Sequence, residues 1–281
     1  PIPVSFASSI QAESDNPYGR SKRGGEDVLH RYHAESGARA ALYRLPNVFG
    51  KWCRPDYNSA VATFCHNIAR GLPIVVHDPS AALSLVYIDD VIGSFIEGLD
   101  DKQPGVVFPQ VKPVYATTVG EVAAMIRAFR KGRDSLIVEA VGTGLTRALY
   151  STYVSYLPPS EVSYTVPRYG DARGDFVEML KTRDSGQMSY FTSHPGVTRG
   201  GHYHHSKTEK FLVLKGRARF GFRHIGTNER FEIQTSGDVP CIVETVPGWS
   251  HDITNVGDEE MIVMLWANEI FDRARPDTFA C

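Results

Sequence analysis

A chain of 281 residues, 42% hydrophobic and 22% charged with a formal net charge of -2, fits about two ordinary globular domains and excludes a disordered polymer. Its 30 basic and 32 acidic residues form no long run of one sign, so nothing marks a nucleic-acid or anionic membrane partner, and small molecules are the expected ligands. No apolar run nears the ~20 residues of a bilayer span. The longest, around Met261 to Trp266, is strand-length. Cys53, Cys65, Cys241 and Cys281 are widely spaced without CxxC, and the N-terminus lacks signal-peptide order, which predicts the reducing cytoplasm.

The chain begins at Pro1, and Ile2 to Phe6 reads at once as a buried strand leading into Ser8 and Ser9, as if a domain were entered partway; an N-terminal truncation is the expectation. Residues 1 to about 130 alternate short apolar runs, such as Ala40 to Leu45, with helical patterns, predicting βα units on a parallel sheet. One helix starts at Pro17 and Tyr18, runs through Val28, Leu29 and Tyr32 with Glu26 and Asp27 on its outer face, and stops at Gly37. A second starts at the capping pair Thr118 and Glu121, buries Val122, Met125, Ile126 and Phe129, and ends before Gly132. From about 133 to 165 periodicity fades while Tyr150, Tyr153, Tyr156, Pro158 and Pro159 gather, predicting an inter-domain connection. Beyond it come short strands broken by glycine turns: Asp175 to Leu180, Gln187 to Thr192, Lys210 to Leu214, Arg217 to Arg223, Arg230 to Ile233 and Met261 to Ala267. The grammar is that of an all-β sandwich or barrel. Two domains follow, residues 1–160 with the connection and 165–281.

Tyr18 and Lys22 stand four residues apart, on one face of a helix. A nearby cation favours a phenolate, so such a phenol can exchange a proton with a carbonyl oxygen during hydride transfer, while a serine, here Ser9, bonds that oxygen. The spacing alone is weak, since 13 tyrosines in this length give about 0.4 such pairs by chance. Context decides. Ser8-Ser9 after a strand, Asn16 to Lys22, Tyr43-Arg44-Leu45-Pro46-Asn47-Val48-Phe49-Gly50 and Val86 to Val91 together resemble the C-terminal half of an extended short-chain dehydrogenase/reductase over residues 1 to about 130. The resemblance implies a Rossmann-type α/β fold with Tyr18 as general acid, Lys22 on the nicotinamide ribose, Pro46 beside the cofactor, and Asn47 and Arg54 on a sugar-nucleotide substrate. The family's glycine-rich phosphate turn does not occur in this sequence, so NADPH binding would need N-terminal strands outside it.

His202 and His204 alternate on a strand, Glu209 and Gly216 follow, and Gly237, Pro247-Gly248, His251 and Asn255 come later. A barrel would bring His202, His204, Glu209 and His251 to one point as ligands for zinc or a similar divalent metal. His-x-His alone is expected about 0.36 times by chance, but adding Glu and Gly at fixed offsets lowers this to roughly 0.002. The pattern resembles the two cupin motifs over about residues 165 to 281, although no residue separates Pro247 from Gly248. Asp171 to Glu178 and Gly196 to Tyr203 are further similar to nucleotide-4-keto-sugar 3,5-epimerases, which implies that Arg173 and Arg199 bind substrate phosphate and that His202 is a base. One lone pair cannot serve both roles; completion of the set by Glu209 and His251 favours His202 as ligand. Tyr203, His205 and Lys210 are then candidates to move the proton, with His205 also readable as a ligand or merely exposed.

Together the halves resemble the bifunctional capsular polysaccharide and O-antigen enzymes that join a reductase to a C-terminal cupin. That resemblance implies epimerisation at C3 of a UDP-linked 2-acetamido-4-keto-6-deoxyhexose, then reduction at C4 with NADPH toward UDP-N-acetyl-L-fucosamine, in a homodimer. The alternatives are a cupin oxygenase and a metal-stabilised sugar-nucleotide binding or assembly module without turnover.

Overall fold

The computed structural model describes residues 2–101 and 103–281. The chain divides into two compact units, Pro1–Arg130 with Val141–Val162, and Lys131–Ala140 with Ser163–Cys281.

In chain order the first unit carries β1 (Val4–Ser9), α1 (Pro17–Ser36), β2 (Ala40–Leu45), β3 (Asn47–Phe49), α2 (Ala60–Ala69), β4 (Ala82–Tyr87), α3 (Ile88–Asp100), β5 (Val106–Val107) and β6 (Tyr115–Thr118). Most of α4 (Val119–Ser135) belongs to it, as does α5 (Gly144–Ser155). The order β1-β2-β5 forms a parallel sheet in which Val4 faces Ala40 and Ser9 faces Leu45; β3, β4 and β6 form a second. This is the expected α/β architecture.

Local chemistry explains α1. Asn16 accepts the Gly19 N–H, Pro17 supplies a ready-set first residue, and Gly37 closes the helix at a left-handed φ of 71°. Two expectations for this helix are reversed. Glu26 is 2% exposed rather than outward, because Ser8 and Arg44 satisfy its carboxylate. Val28, two residues and about 200° further round, is consequently 52% exposed. The strand predicted at Ile2 is also less buried than expected: Ile2 is open to solvent, and in β1 only Ser8 and Ser9 are buried.

Thr118 and Glu121 make the anticipated reciprocal cap of α4, at 2.9 and 3.2 Å, and Val122, Ile126 and Phe129 enter the core. The helix does not stop at Gly132. It continues to Ser135 because a glycine there leaves room for the Ile137 carbonyl, which a Cβ would approach to 2.4 Å. Nor is the stretch from 133 to 165 a bare connection. It holds β7 (Ile137–Val138) and α5, whose Leu149 and Tyr153 sit deep in the first unit's core.

The second unit takes β7 and then β8 (Arg168–Asp171), β9 (Gly174–Thr182), β10 (Gly186–Ser193), β11 (Thr198–Tyr203), β12 (Glu209–Lys215), β13 (Arg217–His224), β14 (Arg230–Ser236), β15 (Ile242–Glu244), β16 (Trp249–Asn255), β17 (Met261–Ala267) and β18 (Phe279–Ala280). One sheet runs β15-β12-β17-β10-β9-β7 with β8 on β9; the other runs β14-β13-β16-β11-β18. Phe191, Phe211, Val213 and Val263 from the first sheet meet Phe220, Phe222 and Ile253 from the second, so the core lies between two facing sheets. The C-terminal region is thus all-β, as its strand pattern predicted.

Candidate active and metal sites

In the first unit a cavity of about 600 Å³ is lined by Ser9, Tyr18, Lys22, Pro46 and Asn47, with Ser8 beside them. Each comes from a different device. Ser9 ends β1, and its Oγ accepts the Gln11 N–H at 3.2 Å, which leaves its own O–H free to donate. Tyr18 and Lys22 share a face of α1, with the Lys22 ammonium 5.7 Å from the Tyr18 ring. Lys22 is aimed by the Ala7 carbonyl at 3.0 Å and by the Phe6 ring at 5.4 Å. Tyr18 is 48% exposed on the cavity. Asn47 donates to the Ser84 carbonyl. Arg54, expected on substrate, is not among the lining residues; it is exposed, with its guanidinium 5.7 Å from the Tyr57 ring.

Sequence reading missed what holds this face. Glu26 continues the Tyr18–Lys22 row one turn further and bridges the elements: the Ser8 hydroxyl donates to it at 2.5 Å, and Arg44 forks onto it at 3.0 and 2.7 Å. The Arg44 hydrogen bonds, with help from Ser8, hold its carboxyl below the usual value against the opposing effect of burial. Arg44 also faces a second cavity of about 1070 Å³, with Phe108 and Lys112 on its wall. The signal was present as Glu26 four residues after Lys22, but an acid on a helix reads by default as solvent-facing.

In the second unit the four predicted ligands converge. One donor atom from each of His202, His204, Glu209 and His251 lies within 4.8 Å of the others. His204 Nε2 and His251 Nε2 stand 3.2 and 3.3 Å from the same Glu209 oxygen. Donors held at about 2.0–2.2 Å around a tetrahedral ion lie about 3.3–3.5 Å apart, so this spacing fits a divalent metal. His251 is buried, with its Nδ1 unpartnered and its Nε2 turned to the Glu209 carboxylate, as expected of a side chain kept for a ligand. Burial, with help from the other two imidazoles, pushes His202 down to about 4, so it is neutral and its lone pair available. Burial opposes ionisation of Glu209, yet the close His204, His251 and Lys207 contacts outweigh it and keep the carboxyl far below its ordinary range. The Asp277 carbonyl accepts from His204 Nδ1, so that ring turns its Nε2 lone pair toward the site.

A bulge places Arg199 with these ligands. On β11, Arg199 faces Ile253 and His202 faces His251, although three residues separate them, because the register slips between Gly200 and His202. Gly200 and Gly201 both have left-handed φ, 94° and 78°, and a Cβ on Gly200 would lie 2.8 Å from the His251 carbonyl. The Arg199 guanidinium lies 5.2 Å from the Phe191 ring, and its Nε and one terminal nitrogen are buried without a partner. Arg173, paired with it in the sequence reading, is instead exposed and occupied by Asp171, whose carboxyl it draws down to about 2. The proton-moving candidates do not join the cluster either. Lys210 follows inward-facing Glu209, so it points outward to Glu244, and Tyr203 and His205 pack on Phe279.

A Ser-Tyr-Lys set beside a parallel sheet, followed by a double-sheet unit with a His-His-Glu-His cluster, is the layout of an NAD(P)-dependent sugar-nucleotide enzyme joined to an all-β domain. Comparison with known proteins agrees unit by unit. Residues 3–107 match the NAD dependent epimerase/dehydratase family, and residues 169–279 match the polysaccharide biosynthesis C-terminal domain. The UDP-2-acetamido-2,6-beta-L-arabino-hexul-4-ose reductase of Pseudomonas aeruginosa is 61% identical over 280 residues, covering all of this chain and 75% of that protein. The crystal structure of the capsular polysaccharide assembling protein CapF from Staphylococcus aureus superposes with a TM-score of 0.94 at 41% identity, over 99% of this chain and 76% of that one. UDP-glucuronate 4-epimerase 1 of Arabidopsis thaliana is 32% identical over 168 residues, 57% of this chain and 37% of that protein. The chain belongs to the family of this reductase and CapF, sugar-nucleotide reductase/epimerases of polysaccharide biosynthesis. No helix among the described residues is long and apolar enough to cross a membrane.

Proposed function

We propose that the C-terminal unit is a zinc-type epimerase acting at C3 of a UDP-linked 2-acetamido-4-keto-6-deoxyhexose, and that the N-terminal unit then reduces C4 with NADPH. The product lies on the way to UDP-N-acetyl-L-fucosamine, in a homodimeric cytoplasmic enzyme. The observation that carries this reading is the convergence of His202, His204, Glu209 and His251 in a buried site that shares its face with the partnerless nitrogens of Arg199.

The order follows from the chemistry, since a ketone at C4 acidifies the C3 hydrogen and reduction removes that activation. A divalent ion held by the four ligands supplies Lewis-acid polarisation of the 4-keto oxygen. Arg199 offers its two free donors to the substrate diphosphate, which fixes the sugar relative to the ligand cluster. Tyr18 and Lys22 would hold the nicotinamide ribose with Pro46 alongside, and the bound cofactor supplies the hydride. Tyr18 gives the C4 oxygen its proton, the Ser9 hydroxyl donates to that oxygen, and the Lys22 ammonium stabilises the phenolate left behind. Asn47, on the cavity wall, meets the sugar nucleotide.

Two variants separate the reactions. In a chain that carries the N-terminal strands NADPH binding needs, Tyr18→Phe should lower NADPH oxidation by about 10²–10⁴-fold while solvent deuterium still enters C3. His251→Ala should abolish C3 exchange. The proposal fails if either variant leaves its own reaction at the wild-type rate.

A further inference from the structure

The last ten residues, Asp272 to Cys281, touch two of the four ligand residues, His204 and His202, and reach a third, Glu209, through Lys207; Asp277 is the hub. Its backbone carbonyl accepts from His204 Nδ1, which fixes the tautomer of that ring. Its carboxylate accepts the N–H groups of His205 at 2.9 Å, Ser206 at 2.7 Å and Lys207 at 2.8 Å, and the Ser206 hydroxyl at 2.9 Å. That grip shapes the turn between His204 and Glu209. At the end of the turn, Lys207 Nζ sits 2.9 Å from Glu209 Oε1, leaving Oε2 as the oxygen that faces His204 and His251. Beyond Asp277, β18 adds to β11 with Ala280 opposite His202, and the Cys281 N–H donates to the Gly201 carbonyl at 3.1 Å, on the bulge itself.

Surface exposure makes this arrangement informative. Asp272 to Pro276 and Phe279 to Cys281 are exposed, with the Phe279 ring against Tyr203 and His205, and the segment directs its hydrogen bonds to the turn and strand that carry ligands.

We propose that Asp277 is a positioning residue for the metal site and that the C-terminal segment is a strap whose docking and metal binding are coupled. The inference rests on the metal-site reading above. Linkage makes it reciprocal: if the docked strap tightens metal binding by some factor, bound metal tightens docking by the same factor. The carboxylate fixes the turn bearing Lys207, the carbonyl orients His204, and β18 holds the strand of His202; only His251 lies outside its reach.

The test uses the full chain with Zn²⁺ or Co²⁺ alone. Chelator competition gives the affinity, the Co²⁺ absorption bands report ligand number and geometry, and amide exchange at Cys281, whose N–H donates to the Gly201 carbonyl, reports strap docking. Asp277→Ala should weaken metal affinity about 10–100-fold, the range for groups that orient metal ligands, and alter the Co²⁺ bands. Asp277→Asn, which keeps an acceptor oxygen, should recover part of the loss. Metal should slow exchange at Cys281 in the wild type and do so less in Asp277→Ala. Wild-type affinity and bands in Asp277→Ala, or strap exchange indifferent to metal, would overturn the proposal. Should Asp277→Ala fail to fold, Asp277→Asn and the wild-type exchange experiment decide it. A wild-type chain that binds neither ion would refute the metal-site reading itself.

Discussion

Glu26 shows how one side chain can serve both fold and site. Its carboxylate ties Ser8 on β1 and Arg44 on β2 to the face of α1 that presents Tyr18 and Lys22. The Arg44 bonds, more than Ser8, hold its folded-state pKa below the usual 4.5. A depressed acid contributes stability that is present above about pH 4.5 and lost as the pH falls through its folded-state value. Chemical denaturation across pH 7 to 3 should therefore show the first unit weakening at the acid end. Glu26→Gln should flatten that dependence and destabilise the unit by about 1–3 kcal/mol at pH 7, because Arg44 loses the buried one of its two charged acceptors, Glu13 being the exposed other. An unchanged slope would contradict this role. Residues whose chemistry is rare were legible: His202, His204, Glu209 and His251 announce themselves by type and spacing. Glu26 reads as solvent-facing because a charge shows its partner only in three dimensions, where Arg44 lies 18 residues away, and the pairing of Arg173 with Asp171 is silent in the sequence for the same reason.

Among elements, β11 depends most on its backbone. Without the slip at Gly200-Gly201, strand alternation would put Arg199 and His202 on opposite faces. Gly200→Ala adds a methyl 2.8 Å from the His251 carbonyl at a φ that side chains avoid, so it must disturb the ligand-bearing pair β11 and β16. The expected outcome is weaker zinc affinity by competition titration, with the first unit's unfolding unaffected; wild-type affinity would show that the bulge is dispensable. The strands β10 and β17 and the well-capped helix α1 were readable from their apolar runs and caps. The strands β11 and β16 were legible only through their histidines, since glycines and histidines at the site break the apolar rhythm, and β11 ends at Tyr203, one residue short of the His204 expected on it. The helix α5 was hidden for another reason: its tyrosines and the prolines after it mimic a loop, while Leu149 and Tyr153 find their core only through folding. The tail strand β18 is two residues long and carries almost no pattern.

For the molecule as a whole, each unit has its own core, so a ligand of one unit should act on that unit's stability. Zinc at 100 times its dissociation constant should stabilise the C-terminal unit by about 2.7 kcal/mol, visible as a calorimetric transition that a chelator moves down. A thermogram indifferent to zinc and chelator would argue against a resident metal. The chemistry remains the more direct question. Incubating the chain with the UDP-linked 4-keto-6-deoxy sugar in D₂O, without nicotinamide cofactor and with or without chelator, isolates the C-terminal reaction by NMR at C3. Deuterium should appear at C3 and disappear when the metal is removed. A folded, metal-loaded chain that leaves C3 unlabelled would contradict the proposed epimerase function.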